Sequence, residues 1–247
     1  MTQLRSVKSY YQLAVADGNT IYCLNKIVLL TFLSWGSMVT LEKLYLDYLY
    51  KIFGYEIEYI MNIRPGLIVL RNSVSVNLFK HKHVIYWHDF LMNLFDSKLT
   101  EKPCALILPC SSIKPYRLSP IHKIVDAQIK TMSADNIIQV YVLSEPMLLV
   151  PRELDIYYPF ANYDYPTHEL SDEYKTKFIT TLSKILPKLT YHNYIAAILP
   201  WHHKEVLIEA INLCGDCIKV EVFEYGKKAF HNAKIVANKV VERCRQA

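Results

Sequence analysis

The chain of 247 residues is 52% hydrophobic and carries only 6 glycines, which suits one substantial core, or a domain and a half, and excludes a disordered or low-complexity protein. A formal net charge of +5 tolerates a polyanionic partner without demanding one. No GxGxxG turn, phosphate-cradling P-loop or HExxH pair occurs, so nucleotide-dependent and HExxH-type zinc chemistry have no support.

Residues 1–37 read as an N-terminal extension upstream of Met38. The apolar stretch Ile27 to Val39 is about 13 residues long, short of the roughly 20 that cross a bilayer, which leaves a signal-peptide-like use open and gives no membrane span. Residues 38–100 form an α/β segment expected to pack on the core: a helix over Leu41 to Phe53 opened by Thr40, strands over Tyr55 to Ile60 and Leu67 to Leu70, and a helix over Val84 to Phe95.

From residue 101 to 247 short apolar runs alternate with segments of helical period. Strands are expected at Cys104 to Pro109, Ile137 to Leu143, Tyr194 to Leu199 and Ile218 to Phe223. The helices between and after them fall at Ser119 to Met132, Ser171 to Leu186, His203 to Leu213 and Lys227 to Arg243. Alternation of this kind implies right-handed crossovers and a mainly parallel sheet. The strands are apolar throughout, as when helices cover both faces, so the fold class is α/β, a three-layer α/β/α sandwich. In such a sheet the loops after successive strands emerge at one edge, where ligands bind.

Six cysteines, at 23, 104, 110, 214, 217 and 244, sit mostly in apolar segments. They read as reduced thiols in a cytosolic protein. Cys214 and Cys217 form a lone CxxC that Gly215 places at a helix end, with no second pair to complete a zinc site.

The loop after the first core strand concentrates reactive groups: Cys110, Lys114, Tyr116, Arg117, Ser119 and His122 lie within fourteen positions. Pro115 stiffens it, and Ser119 with Pro120 makes a strong helix start whose positive end faces the loop. Taken singly, Ser119 is explained as a cap, His122 as a first-turn hydrogen-bonding group and Cys110 as filler.

Taken together, Pro109-Cys110, Lys114-Pro115-Tyr116, Ser119 and His122 reproduce the PC-x3-KPY-x2-S-x2-H spacing of archaeosine synthases, and the chain resembles that family over about residues 83 to 200. A second block agrees: Ser144-Glu145-Pro146-Met147-Leu148-Leu149-Val150-Pro151-Arg152-Glu153-Leu154, then Tyr158-Pro159 and Tyr163-Asp164-Tyr165-Pro166. The chain departs from the family at Met147-Leu148 and at Thr167-His168-Glu169-Leu170. The family's transglycosylase-like and C-terminal RNA-binding modules are not part of the resemblance.

The resemblance implies a uracil-DNA-glycosylase-like fold. It also implies addition of an amine donor, lysine, to the nitrile of 7-cyano-7-deazaguanine in the D-loop of archaeal tRNA. Implied partners are tRNA, lysine or another amine donor, and a radical-SAM enzyme or tRNA-guanine transglycosylase; no cofactor is implied. On this reading Cys110 is the nucleophile, Lys114 favours its thiolate or binds phosphate, and His122 shuttles the proton. Tyr116 and Tyr163 are candidates to stack on a base, with Ser119 beside them. Arg152 and Glu153 either hold a phosphate or donor carboxylate or form an ion pair tying loop to helix. Asp164 either orients the donor amine or pairs with Arg152. His202 and His203 lie at the same sheet edge, as ligand-facing groups or as polar caps. A non-catalytic tRNA-binding or scaffold subunit and a base-processing glycosylase are the competing functions.

Overall fold

The structure, a computed structural model, describes residues 40–73, 76–166 and 171–246, with the backbone of three strands within residues 14–31. Met38, and residues 1–37 apart from these strands, lie outside the described residues. The chain divides into two compact units, Met1–Arg64 and Pro65–Ala247.

In the first unit, β1 (Ala14–Ala16), β2 (Asn19–Leu24) and β3 (Ile27–Thr31) form an antiparallel meander. Helix α1 (Leu41–Phe53) starts where the Thr40 hydroxyl accepts from the Lys43 amide at 3.2 Å, buries Leu41, Tyr45, Leu46 and Leu49, and stops at Gly54, whose φ of 54° is disfavoured for a residue with a Cβ. A 3-10 turn then runs into α2 (Ile57–Met61), so the strand expected over Tyr55 to Ile60 is helical. The burial pattern explains the correction. Ile57, Ile60 and Met61, spaced three and four apart, are inside, whereas Tyr55 and Tyr59 are 72% and 79% exposed.

In the second unit the expected strand at Leu67 to Leu70 shrinks to β4 (Leu70–Arg71), followed by α3 (Lys82–Asn93). Next come β5 (Cys104–Pro109), α4 (Pro120–Thr131), β6 (Ile138–Ser144), β7 (Leu148–Pro151) and β8 (Tyr163–Asp164), which pairs in parallel with β4. The chain finishes with α5 (Asp172–Ile185), β9 (Tyr194–Leu199), α6 (Trp201–Leu213), β10 (Val220–Glu224) and α7 (Ala229–Gln246).

The fold is mixed α/β with a mainly parallel sheet ordered β10-β9-β5-β6-β7. Only β7 runs antiparallel, with Ser144 opposite Leu148. It escapes a periodicity reading because it spans four residues and begins at the positive φ of Leu148, inside the tight turn that follows β6. The central strands are buried along their length, as their unbroken apolar runs foretold.

Side chains alternate across the sheet. Leu106 and Leu108 of β5, Val140 of β6 and Ile198 of β9 pack with Ile121, Val125 and Ile129 of α4 and with Val236 and Val240 of α7. Each such side chain contributes about 2 kcal/mol by leaving water. Tyr141, of opposite parity, sets its ring edge-on to Phe95 and bonds His192 Nε2 through its hydroxyl at 2.8 Å.

The expectation of reduced thiols is corrected. Cys104 at the start of β5 is disulfide-bonded to Cys244 near the end of α7, and Cys214 to Cys217 at the turn after α6. The first pair is 140 residues apart in sequence with Cα atoms 6.0 Å apart, a meeting that only the packing of α7 on the sheet produces. Among the described residues Cys110 is the free cysteine. No helix of the described residues is long and apolar enough to cross a membrane.

Candidate active site

Strand β5 has its successor β6 on one side and the later strand β9 on the other. The chain leaves their carboxyl ends in opposite directions, which opens a crevice between the loops after β5 and β9. A cavity of about 450 Å³ lies there, within the range of roughly 300–1,000 Å³ typical of small-molecule sites. Pro109 to Ser112 and Lys114 line it from the loop after β5, and Glu145 from the loop after β6. Tyr163 to Pro166 line it from β8 onward, Pro200, His202 and His203 from the start of α6, and Tyr225 from the loop after β10.

Cys110 continues the ladder, its amide donating to the Leu143 carbonyl at 3.0 Å, so its thiol is anchored at the strand end. The sulfur stands 3.9 Å from Nε2 of His203, and that nitrogen donates to Oε2 of Glu145 at 2.9 Å. His202 presents its own Nε2 3.9 Å from Oε1 of Glu145. Both His203 and Glu145 are buried, 2% exposed each. Burial alone would strip the imidazole of its proton, but the Glu145 carboxylate, with Cys110, outweighs it and raises the His203 pKa to about 10. Burial likewise opposes ionisation of Glu145, yet His203 holds its carboxyl below the usual range. The result is an imidazolium–carboxylate pair beside a thiol. Cys110 Sγ, a Glu145 oxygen and a His203 nitrogen lie within 4.8 Å of one another, a donor set that could also hold a divalent metal ion.

Lys114 reaches the same cavity. Its ammonium donates to the Ser111 carbonyl and lies 4.7 Å from the centre of the Tyr116 ring and 4.5 Å from that of Tyr163. Burial lowers its pKa, against the opposing pull of Cys110, Asp164 and Glu145. Beneath it the hydroxyls of Tyr116, Tyr163 and Ser144 bond one another, Tyr116 donating to Ser144 at 3.2 Å. Burial pushes both phenols well above their ordinary value. Tyr116 is wholly buried and Tyr163 1% exposed, so neither presents a free face for stacking.

The remaining sequence candidates lie elsewhere. His122 has no exposure: its Nε2 donates to the Pro109 carbonyl at 2.9 Å and its Nδ1 accepts from Arg152 at 2.6 Å. Burial, reinforced by Arg152, lowers its pKa to about 3. The imidazole beside Cys110 is therefore that of His203, and His122 braces the back of the loop. Ser119 occupies the N-cap position of α4, but its hydroxyl makes no capping bond and is buried without a hydrogen-bond partner, which corrects the side-chain cap.

Arg152 pairs with Asp126 of α4 and with Asp155, each at 3.2 Å, while Arg117 holds Asp155 at 2.6 Å. This is the ion pair tying loop to helix. Glu153 bonds Lys102 at 2.9 Å and Gln139 at 2.6 Å. A smaller cavity of about 220 Å³ adjoins Arg152, Arg117 and Asp126. Asp164 lines the main cavity and pairs with Arg71 at 3.6 Å, not with Arg152.

Ser144 and Glu145 open the second block, but its candidate site residues were Arg152 and Glu153 further along. Their position, at the last residue of a buried central strand and one step beyond it, is the signal that could have found them.

Over 106 residues the chain is 38% identical to "Archaeosine synthase" of Methanocaldococcus jannaschii, covering 41% of this chain and 18% of that protein. It is 27% identical over 161 residues to "Archaeosine synthase subunit alpha" of Thermoplasma acidophilum, 61% of this chain and 28% of that one. Over 116 residues it is 27% identical to "Archaeosine synthase" of Haloferax volcanii, 47% of this chain and 18% of that one. The chain thus spans 18% to 28% of the length of these relatives. A family described as "Domain of unknown function (DUF5591)" matches residues 84–233, a stretch that holds Cys110, Lys114, Glu145 and His203, and the chain belongs to this family.

Proposed function

We propose that this chain works in archaeosine formation on tRNA, adding an amine donor, lysine, to the nitrile of 7-cyano-7-deazaguanine already placed in the D-loop. The observation that carries the reading is the Cys110 thiol, anchored at the end of β5 in the cavity between the β5 and β9 loops, with Lys114 lining the same space. The names of the relatives and the matched loop spacing point the same way. A nitrile carbon is an electrophile that a thiolate attacks to give a thioimidate, and an amine then displaces the sulfur to leave an amidine. Lys114 assists Cys110 from the same cavity or binds a tRNA phosphate. Asp164, at the cavity wall, orients the donor amine. We read the helix pairs α4/α7 and α5/α6 as the outer layers of a uracil-DNA-glycosylase-like sandwich, and a radical-SAM enzyme or a tRNA-guanine transglycosylase as the protein partner.

The test is incubation of the purified chain with nitrile-bearing tRNA and lysine, followed by mass spectrometry of the nucleosides. The lysine adduct is expected with the native protein and absent with Cys110→Ser; equal conversion by both would overturn the covalent route. The short span relative to the named relatives favours a second reading, a tRNA-binding subunit without turnover. Retention of tRNA with no adduct would select it.

A further inference from the structure

We propose that His203 is the acid that protonates the nitrile nitrogen as Cys110 adds, and that Glu145 is the positioning residue that holds its imidazole at the cavity. The inference rests on Cys110 being the nucleophile and names the group that the motif loop does not supply. Segments after three different strands build the arrangement: Cys110 follows β5, Glu145 follows β6 and His203, in the first turn of α6, follows β9.

The geometry separates this trio from a relay in which the thiol and the carboxylate use opposite ring nitrogens. Here one nitrogen, Nε2, faces both, with Glu145 at 2.9 Å and the sulfur at 3.9 Å. The Nε2 proton, held by Glu145 in this structure, lies beside the sulfur and so within reach of a nitrile nitrogen once the nitrile carbon is bonded there. Glu145 Oε1 and His202 Nε2 are buried and lack hydrogen-bond partners, so the cluster keeps unused polar capacity at the cavity wall. A buried ion pair seldom improves stability over apolar packing, which makes a chemical reason for keeping it the economical one.

The step balances. The thiolate pair forms the S–C bond, one C≡N π pair moves to nitrogen, and nitrogen takes the Nε2 proton of His203, leaving a neutral imidazole. The donor amine then attacks the thioimidate carbon, the C–S bond breaks with its pair returning to sulfur, and the amine's surplus proton returns to Nε2. Thiolate and imidazolium are both restored, and nothing is oxidised or reduced.

The groups that bear on His203 are Cys110 from the β5 loop, Glu145 from the β6 loop and His202 on its own helix; Lys114 and Asp164 line the same cavity. The experiment uses the full chain and two readouts. The first is alkylation of Cys110 by iodoacetamide from pH 5 to 9, followed on the Cys110 peptide by mass spectrometry. The second is formation of the lysine adduct on nitrile-bearing tRNA over the same range.

For His203→Gln the adduct is expected to form about 100-fold more slowly and the alkylation profile to shift. For Glu145→Gln, which preserves volume, the adduct rate is expected to fall at neutral pH and to recover toward acid, where the imidazole regains its proton without the carboxylate. A loss of equal size at every pH would mark a merely structural role and overturn the assignment. So would an unchanged alkylation profile in His203→Gln, whatever the fate of the tRNA. Full activity of Cys110→Ser, by contrast, would bring down the nucleophile itself.

Discussion

Two buried polar clusters lie in the loop regions of this sheet, and they are built on opposite plans. Around Arg152, charges meet charges: Asp155 is shared by Arg152 and Arg117, Asp126 closes the other side, and His122 offers its Nδ1 to the same guanidinium. Around Cys110, the groups face a space. His203, Glu145 and Lys114 turn toward a cavity of about 450 Å³, against about 220 Å³ beside Arg152. A network that mainly satisfies itself fixes the loop, whereas one that converges on a cavity is prepared for a ligand. Charge content alone, richer in the first, does not draw this distinction.

The sharpest way to break this contrast is to remove the thiol. Cys110→Ser should cut adduct formation by at least about a thousand-fold, with an unchanged urea midpoint, because the side chain is half-buried and makes no strong structural bond. Next in size, Arg152→Ala leaves Asp126 and the fully buried Asp155 short of a partner and should cost about 3 kcal/mol in urea unfolding while Cys110 alkylation stays at the native rate. The opposite result, native stability with lost tRNA turnover, would make the Arg152 cluster a binding site and dissolve the distinction.

The two clusters should also titrate in opposite directions. His122, with a folded pKa of about 3 against about 6.5 unfolded, stays neutral in the fold. The unfolded chain takes up the extra proton below pH 6.5, so stability falls as pH drops from about 6.5 to about 3. The folded pKa of His203, about 10, is raised, so its contribution is complete below about 6.5 and is lost as pH climbs toward 10. Urea midpoints measured across pH should therefore peak between the two limbs. His122→Gln should flatten the acid limb and His203→Gln the alkaline one. The smallest effect is expected from Tyr163→Phe, which removes one hydroxyl from the trio with Tyr116 and Ser144 and should cost about 1 kcal/mol in the same assay.

Legibility tracked the range of the interactions involved. The stretch Cys104 to Pro109 reads as a strand and is one, since every residue in it is buried and the apolar run reports that directly. The Tyr55 to Ile60 segment misled because an aromatic and β-branched run fits two periods, and burial of Ile57, Ile60 and Met61 chose the helical one. His122 looked reactive by type and spacing, but carbonyl and guanidinium partners engage both of its nitrogens.

By itself the sequence determined four strands of the main sheet, β5, β6, β9 and β10, that the sheet is mainly parallel, and that the loop bearing Cys110 and Lys114 leaves its carboxyl edge. These follow from local periodicity and from the chirality of crossovers. Only the tertiary structure decided that His203, 93 residues from Cys110 and 58 from Glu145, completes the cluster, and that Cys104 meets Cys244. Which residues meet depends on the order β9-β5-β6 and on how α7 packs, and burial along a single strand carries no record of its neighbours.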